Sequence, residues 1–149
     1  TFLKLSKLLS EDEKIVLVGL TKKQKKSLPV NILGIEKTNN AEQLAEIYTA
    51  SDVFLNPTLE DNFPTTNLEA MACGTPVITY NTGGSPESID ENIGFIVEKE
   101  DIDDLYKKAD MIKKRTKKLY WKNCLIKSKE KYDKYRMILE YASMYDAYW

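Results

Sequence analysis

At 149 residues, 42% hydrophobic and 30% charged, the chain is sized for one globular domain with a core of its own. It has no histidine, which excludes Ser-His-Asp and Cys-His catalysis and argues against a zinc site; no apolar run reaches the roughly 18 residues that span a bilayer. The net charge of −1 hides an asymmetry, because residues 107–136 carry 13 Lys and Arg against 3 Asp and Glu and the remainder is acidic.

Residues 2–9 place Phe2, Leu5, Leu8 and Leu9 on one helical face. The continuous apolar run IVLVGL at 15–20 reads as a buried parallel strand. The polar TKKQKK that follows is a loop or short helix, closed at Pro29, and NILGI supplies a second strand at 31–35. Residues 39–51 read as a helix with Asn40 at its N-cap and Leu44, Ile47 and Tyr48 on one face. VFLNPT at 53–58 is the third strand. A helix over 64–73 starts near Pro64 and ends at Gly74, where a left-handed residue is expected. PVITY at 76–80 is the fourth strand. Gly83 and Gly84 make a tight turn, Ser85 caps a helix begun by Pro86, and a fifth strand lies at 94–98. From Asp101 onward the chain reads as three helices, the last with Tyr141, Tyr145 and Tyr148 at helical spacing before Trp149. Strands alternating with helices predict a three-layer α/β/α, Rossmann-like domain around a central parallel sheet, with ligands beyond the carboxyl ends of the strands.

The chemistry concentrates in residues 53–87. The third strand leads into a polar loop containing Glu60, Asp61, Asn62 and Phe63, and a helix opens at Pro64. The first amides of that helix, around Thr65, Thr66 and Asn67, have no intrahelical acceptors and form an anion seat. Acids beside a phosphate seat suit a two-ended ligand: carboxylates take sugar hydroxyls while amides hold a diphosphate. Glu69, one turn into the helix, reaches a second diol such as a ribose. A capped helix with incidental acids is the alternative. Gly83 and Gly84 fit either close approach to a ligand or a plain turn.

The stretch EDNFPTTNLEAMACGTPVITYNTGGSPE, residues 60–87, resembles the signature of the GT4 family of retaining glycosyltransferases, in which two acids stand eight residues apart ahead of Ala-Met-Ala-Cys-Gly-x-Pro-Val. Asp61 stands at the first acid, where Glu is usual, and Glu69 at the second. Asn62 and Pro64 replace two glycines, as in a capsule and exopolysaccharide subset. The resemblance implies the C-terminal, nucleotide-sugar-binding half of a GT-B fold over 1–149, truncated at its N-terminus. It implies that Asp61, or its neighbour Glu60, meets the donor hexose, with the amides of Asn62 and Phe63 on that sugar. The amides at Thr65 and Thr66 then hold the diphosphate, Glu69 holds the ribose, and the base lies near Gly19 and Ile35. The family's basic Arg and Lys pair and its acceptor-binding N-terminal domain are absent, so the fragment alone is expected to be inactive. The implied function is transfer of a sugar from a nucleotide diphosphate donor to a polysaccharide or lipid-linked acceptor, with no metal and no other cofactor. A non-catalytic nucleotide-binding or regulatory module is the alternative. A cytoplasmic protein is expected, with two unpatterned thiols, Cys73 and Cys124. No nucleic acid is expected as partner. The basic helices around residues 113–131 are either a solvated face or a contact with the anionic inner face of a membrane.

Overall fold

The structure, a computed structural model, describes residues 1–148, with side chains through residue 146. Five short strands alternate with helices as predicted: α1 (Phe2–Leu5), β1 (Ile15–Val18), α2 (Lys22–Lys26), β2 (Ile32–Ile35), α3 (Ala41–Ala50), β3 (Phe54–Asn56), α4 (Thr65–Ala72), β4 (Val77–Tyr80) and β5 (Gly94–Val97). Three helices then close the chain: α5 (Ile102–Arg115), α6 (Lys118–Lys131) and α7 (Lys134–Tyr148). All strand pairs are parallel. The expected sheet is divided, however: β1 pairs with β2, and β3, β4 and β5 form a separate three-stranded unit. β4 is bonded on both edges and every residue in it is buried, which explains the continuous apolar run in the sequence.

Local sequence sets most element ends. Asn40 Oδ1 accepts from the Gln43 amide at 2.8 Å and starts α3. Thr21 and Gln24 close a capping box that makes TKKQKK a short helix. Gly74 ends α4 at φ +70°, with the Trp121 ring lying where a side chain would stand. Three expectations shift. The first helix stops at Leu5 rather than Leu9, with turns following. Pro64 is the N-cap of α4, one residue before its first turn. Ser85 does not cap a helix: Gly84 holds that place, and residues 85–88 form a single 3-10 turn with the Ser85 hydroxyl buried and unpartnered. Cys73 is half-buried and Cys124 is fully buried.

The core runs through Leu5, Met71, Val77, Ile78, Tyr80, Ile93, Leu105 and Ile112. One basic residue from the cationic stretch is built into the body. Lys117 Nζ donates to the carbonyls of Tyr48, Thr49 and Ser51 and to Thr75 Oγ1, at 2.6–3.2 Å, so it satisfies the C-terminal carbonyls of α3. On α7, Tyr135, Tyr141 and Tyr145 are exposed; Tyr148 and Trp149 lie outside the described side chains. No helix among the described residues is long and apolar enough to cross a membrane.

Candidate donor site

The acidic loop follows β3 and sits directly on the Gly83 and Gly84 turn that follows β4. The Gly84 amide donates to the Asp61 carbonyl at 3.0 Å. A Cβ on Gly84 would lie 1.7 Å from the Asn62 carbonyl oxygen, and one on Gly83 would lie 2.1 Å from that of Asp61. Gly83 also has φ +52°, a left-handed conformation that favours glycine. The pair forms a turn packed tightly under the loop. Thr82 Oγ1 adds a bond to the Thr58 carbonyl at 2.9 Å, tying the ends of the loop to the same turn.

Within the loop, Asp61 is half-buried, and its Oδ1 accepts from the Phe63 amide at 3.0 Å. That amide, expected on the sugar, is therefore engaged by Asp61 itself. Glu60 and Asn62 are exposed. The Phe63 ring packs against Tyr132, with centroids 6.0 Å apart, so the start of α4 is tied to the end of α6. Pro64 is buried and fixes the chain's entry into α4. Thr65 and Thr66 are exposed at the first two helical positions, where no carbonyl lies a turn earlier to take their amides.

Two side chains whose polar contacts the sequence does not reveal position this helix, those of Asn67 and Tyr48; the Asn67 amide, expected to be free, is taken by the Pro64 carbonyl at 3.1 Å. Asn67 is fully buried. It accepts from Asn56 Nδ2 at 2.8 Å and donates to the Ser85 carbonyl and Ser88 Oγ at 3.4 Å, locking α4 to β3 and to the 3-10 turn. Tyr48, on α3, donates its hydroxyl to Glu69 Oε2 at 3.3 Å. Burial and the adjacent Glu69 charge push the Tyr48 phenol well above its ordinary value, so it remains a donor across the physiological range. Glu69 is exposed, and its other carboxylate oxygen has no partner among the described residues. It therefore faces solvent on one side and a fixed donor on the other.

Gly19 and Ile35 stand together where β1 and β2 end, with the Gly19 amide donating to the Ile35 carbonyl at 3.0 Å. Gly19 has φ +91° and open space where a side chain would be. Two clefts of about 410 and 600 Å³ are lined by other residues, among them Asp90 and Lys127 in one and Leu3 and Pro29 in the other. Neither of these two is lined by Asp61, Thr65 or Glu69, which lie on the loop after β3 and on α4.

Over 64 residues, 42% of this chain, the sequence is 38% identical to the D-inositol 3-phosphate glycosyltransferase of Saccharomonospora viridis, although those residues are only 15% of that protein. The fold is shared with a glycosyltransferase from Rickettsia africae (TM-score 0.81, 22% identity, 96% of this chain and 42% of that one). It is shared also with Anabaena Alr3699/HepE in complex with UDP-glucose (TM-score 0.78, 18% identity, 97% and 44%). The chain thus spans less than half the length of these solved proteins. Residues 2–132 match the family described as glycosyl transferases group 1, and the chain belongs to that family.

Proposed function

We propose that this chain is the donor-binding domain of a retaining glycosyltransferase that moves a hexose from a nucleoside diphosphate sugar to a polysaccharide or lipid-linked acceptor, in the manner of the GT4 enzymes. The observation that carries this reading is the joint placement of the acidic loop and the open N-terminus of α4. Asp61 and Glu60 precede the free amides of Thr65 and Thr66, and Glu69 follows one turn later. In this reading the amides receive the diphosphate oxygens, aided by the helix dipole. The acids before them accept from hexose hydroxyls. Glu69, oriented by Tyr48, accepts from the ribose diol. A departing diphosphate needs positive charge to stabilise it, and among the described residues no cationic side chain is paired with Glu60, Asp61 or Glu69. Turnover is therefore assigned to a longer protein that supplies a basic group and the acceptor site, and the nucleotide is assigned to this chain. The fold shared with a UDP-glucose complex supports a uridine donor.

Titration calorimetry with UDP, UDP-glucose and other nucleotide sugars tests the binding half of this reading. Glu69→Ala should weaken all of them by about 1.5–3 kcal/mol, the range for hydrogen bonds to a charged group. Asp61→Ala should weaken nucleotide sugars and spare bare nucleotides. In the longer enzyme, NMR of the anomeric proton during turnover reads the stereochemistry. Binding unaffected by Glu69→Ala, or sugar transfer with inversion, would overturn the assignment.

A further inference from the structure

The cationic stretch at 107–136 separates, in the structure, into residues used by the fold and residues left free. Lys113 pairs with Asp12 and Glu13, Lys114 with Asp110, Lys127 with Asp90 and Arg136 with Glu140. Lys117 is seated on the carbonyls that end α3. On α6 the inward side is settled by buried Tyr120 and Cys124 and by half-buried Lys127. The opposite side carries Lys118, Lys122 and Lys129 at spacings of four and seven, which places them in one row. All three are exposed and have no ion-pair partner among the described residues. Leu119 and Ile126, seven apart, run beside that row at 64% and 42% exposure, and Trp121 flanks its other side at 48%. The helix has a single acid, Glu130, near its end.

We infer that this outer face of α6 is a docking surface for an anionic lipid bilayer, independent of the donor chemistry proposed above. Charge complementarity selects an anionic partner, since the row offers three exposed cations with no ion-pair partner among the described residues. The large apolar side chains decide which anionic partner. Leu119, Ile126 and Trp121 are carried at the level of the lysine row, where a bilayer can take them below the headgroups while the lysines stay among the phosphates. A nucleic acid backbone would meet the lysines and leave those apolar groups in water. At 14 residues the helix offers about 21 Å of length to lie along a membrane.

Vesicle sedimentation of the chain, with phosphatidylcholine alone and with phosphatidylglycerol added, tests the proposal. Partition onto the anionic vesicles is expected, and it should fall as salt rises. The variant Lys118→Gln with Lys122→Gln and Lys129→Gln should lose about a hundredfold in affinity, from the contribution of each basic residue near such a surface. The variant Leu119→Ser with Ile126→Ser should lose vesicle binding while keeping any retention on heparin. In a Trp149→Phe background, the fluorescence of Trp121 should shift to the blue on anionic vesicles only. All five substituted side chains on α6 are exposed, and circular dichroism of each variant confirms that the fold is kept. Equal partition onto neutral and anionic vesicles would overturn the proposal. So would unchanged affinity in the triple lysine variant, or tighter binding to a DNA duplex than to vesicles with no effect of the apolar substitutions.

Discussion

Replacing Gly84 by alanine isolates the packing beneath the acidic loop. The backbone there is at φ −89° and ψ 4°, a region any residue adopts, so the substitution introduces no conformational strain of its own. What it introduces is a methyl group 1.7 Å from the Asn62 carbonyl oxygen, where real Cβ contacts essentially never fall below 3.0 Å. The carbonyl must retreat by at least about 1.3 Å, and because it belongs to backbone no rotamer change can absorb the shift. Overpacking of this kind costs about 1–3 kcal/mol of stability, readable by urea denaturation. The functional consequence is selective. The displaced segment contains Asp61, assigned to the donor sugar, whereas Glu69 and the amides of Thr65 and Thr66 lie on α4, held separately by Asn67. Loss of a hydrogen bond to a charged group is worth about 1.5–3 kcal/mol, or roughly 10- to 150-fold in affinity. Calorimetry on Gly84→Ala should therefore show the preference for nucleotide sugar over bare nucleotide shrinking by that factor, with nucleotide affinity nearly kept. A variant as stable as the parent would refute the steric reasoning. A destabilised variant with an unchanged preference for the sugar would refute the role of the loop.

Tyr48→Phe removes the hydroxyl that holds Glu69 and should weaken nucleotide binding by about 0.5–1.5 kcal/mol in calorimetry; wild-type affinity would show that Glu69 needs no orienting donor. Lys117→Met withdraws the ammonium from three carbonyls and Thr75 Oγ1, and chemical denaturation should report a loss of about 1.5–3 kcal/mol, whereas Lys118→Met, exposed next to it, should cost little. Asp12 is held down to about 2 by its bonds with Ser10 and Lys113. A carboxylate lowered on folding contributes stability that is complete above its ordinary value of 3.8 and is lost as pH falls through about 2. Asp12→Asn should therefore flatten the melting temperature against pH within that acid window, and an unchanged profile would count against the ion pair.

The sequence made visible what depends on neighbours along the chain. The apolar run at 76–80 announces a strand buried on both faces, and the Asn40 cap and the Gly74 terminus follow from local backbone chemistry; the run at 15–20 does form a strand, but Val16 and Val18 on one of its faces are exposed rather than buried. The acids Asp61 and Glu69 stand out through the resemblance of residues 60–87 to the GT4 signature, since their spacing alone also fits a capped helix with incidental acids. Features made by distant pairs were not. Tyr48 reads as one more apolar position on α3, and only the fold reveals that its hydroxyl meets Glu69, 21 residues away. Gly83 and Gly84 mark a turn, but what presses on them is set by a loop beyond β3. Ser85 beside Pro86 has the composition of a helix start, yet the 3-10 turn buries its hydroxyl. Among 13 cations in one stretch, nothing local singles out Lys117 as the one the core requires. The division of the strands into two units likewise depends on pairing between segments that carry no mark of it.

That division implies an unequal resistance to opening. A two-stranded ribbon is marginal by itself, and β1 with β2 is tied to the rest by one buried side chain at the start of each strand, Ile15 and Ile32, and by a few polar contacts: Lys113 to Asp12 and Glu13, Tyr106 to Glu13, and Asn31 to the Ser6 carbonyl. The β3, β4 and β5 unit contains the fully buried central strand and packs against α4 and α5. In amide hydrogen exchange, Ile78 and Thr79 should give up their protons only on global unfolding, while Val16 and Leu17 exchange through a cheaper, sub-global opening. The boundary between slow and fast amides then falls between Ile35 and Phe54. The two acids lie on the slow side and the strand ends near Gly19 on the fast side, so a ligand that spans both would be seen first as protection gained by β1.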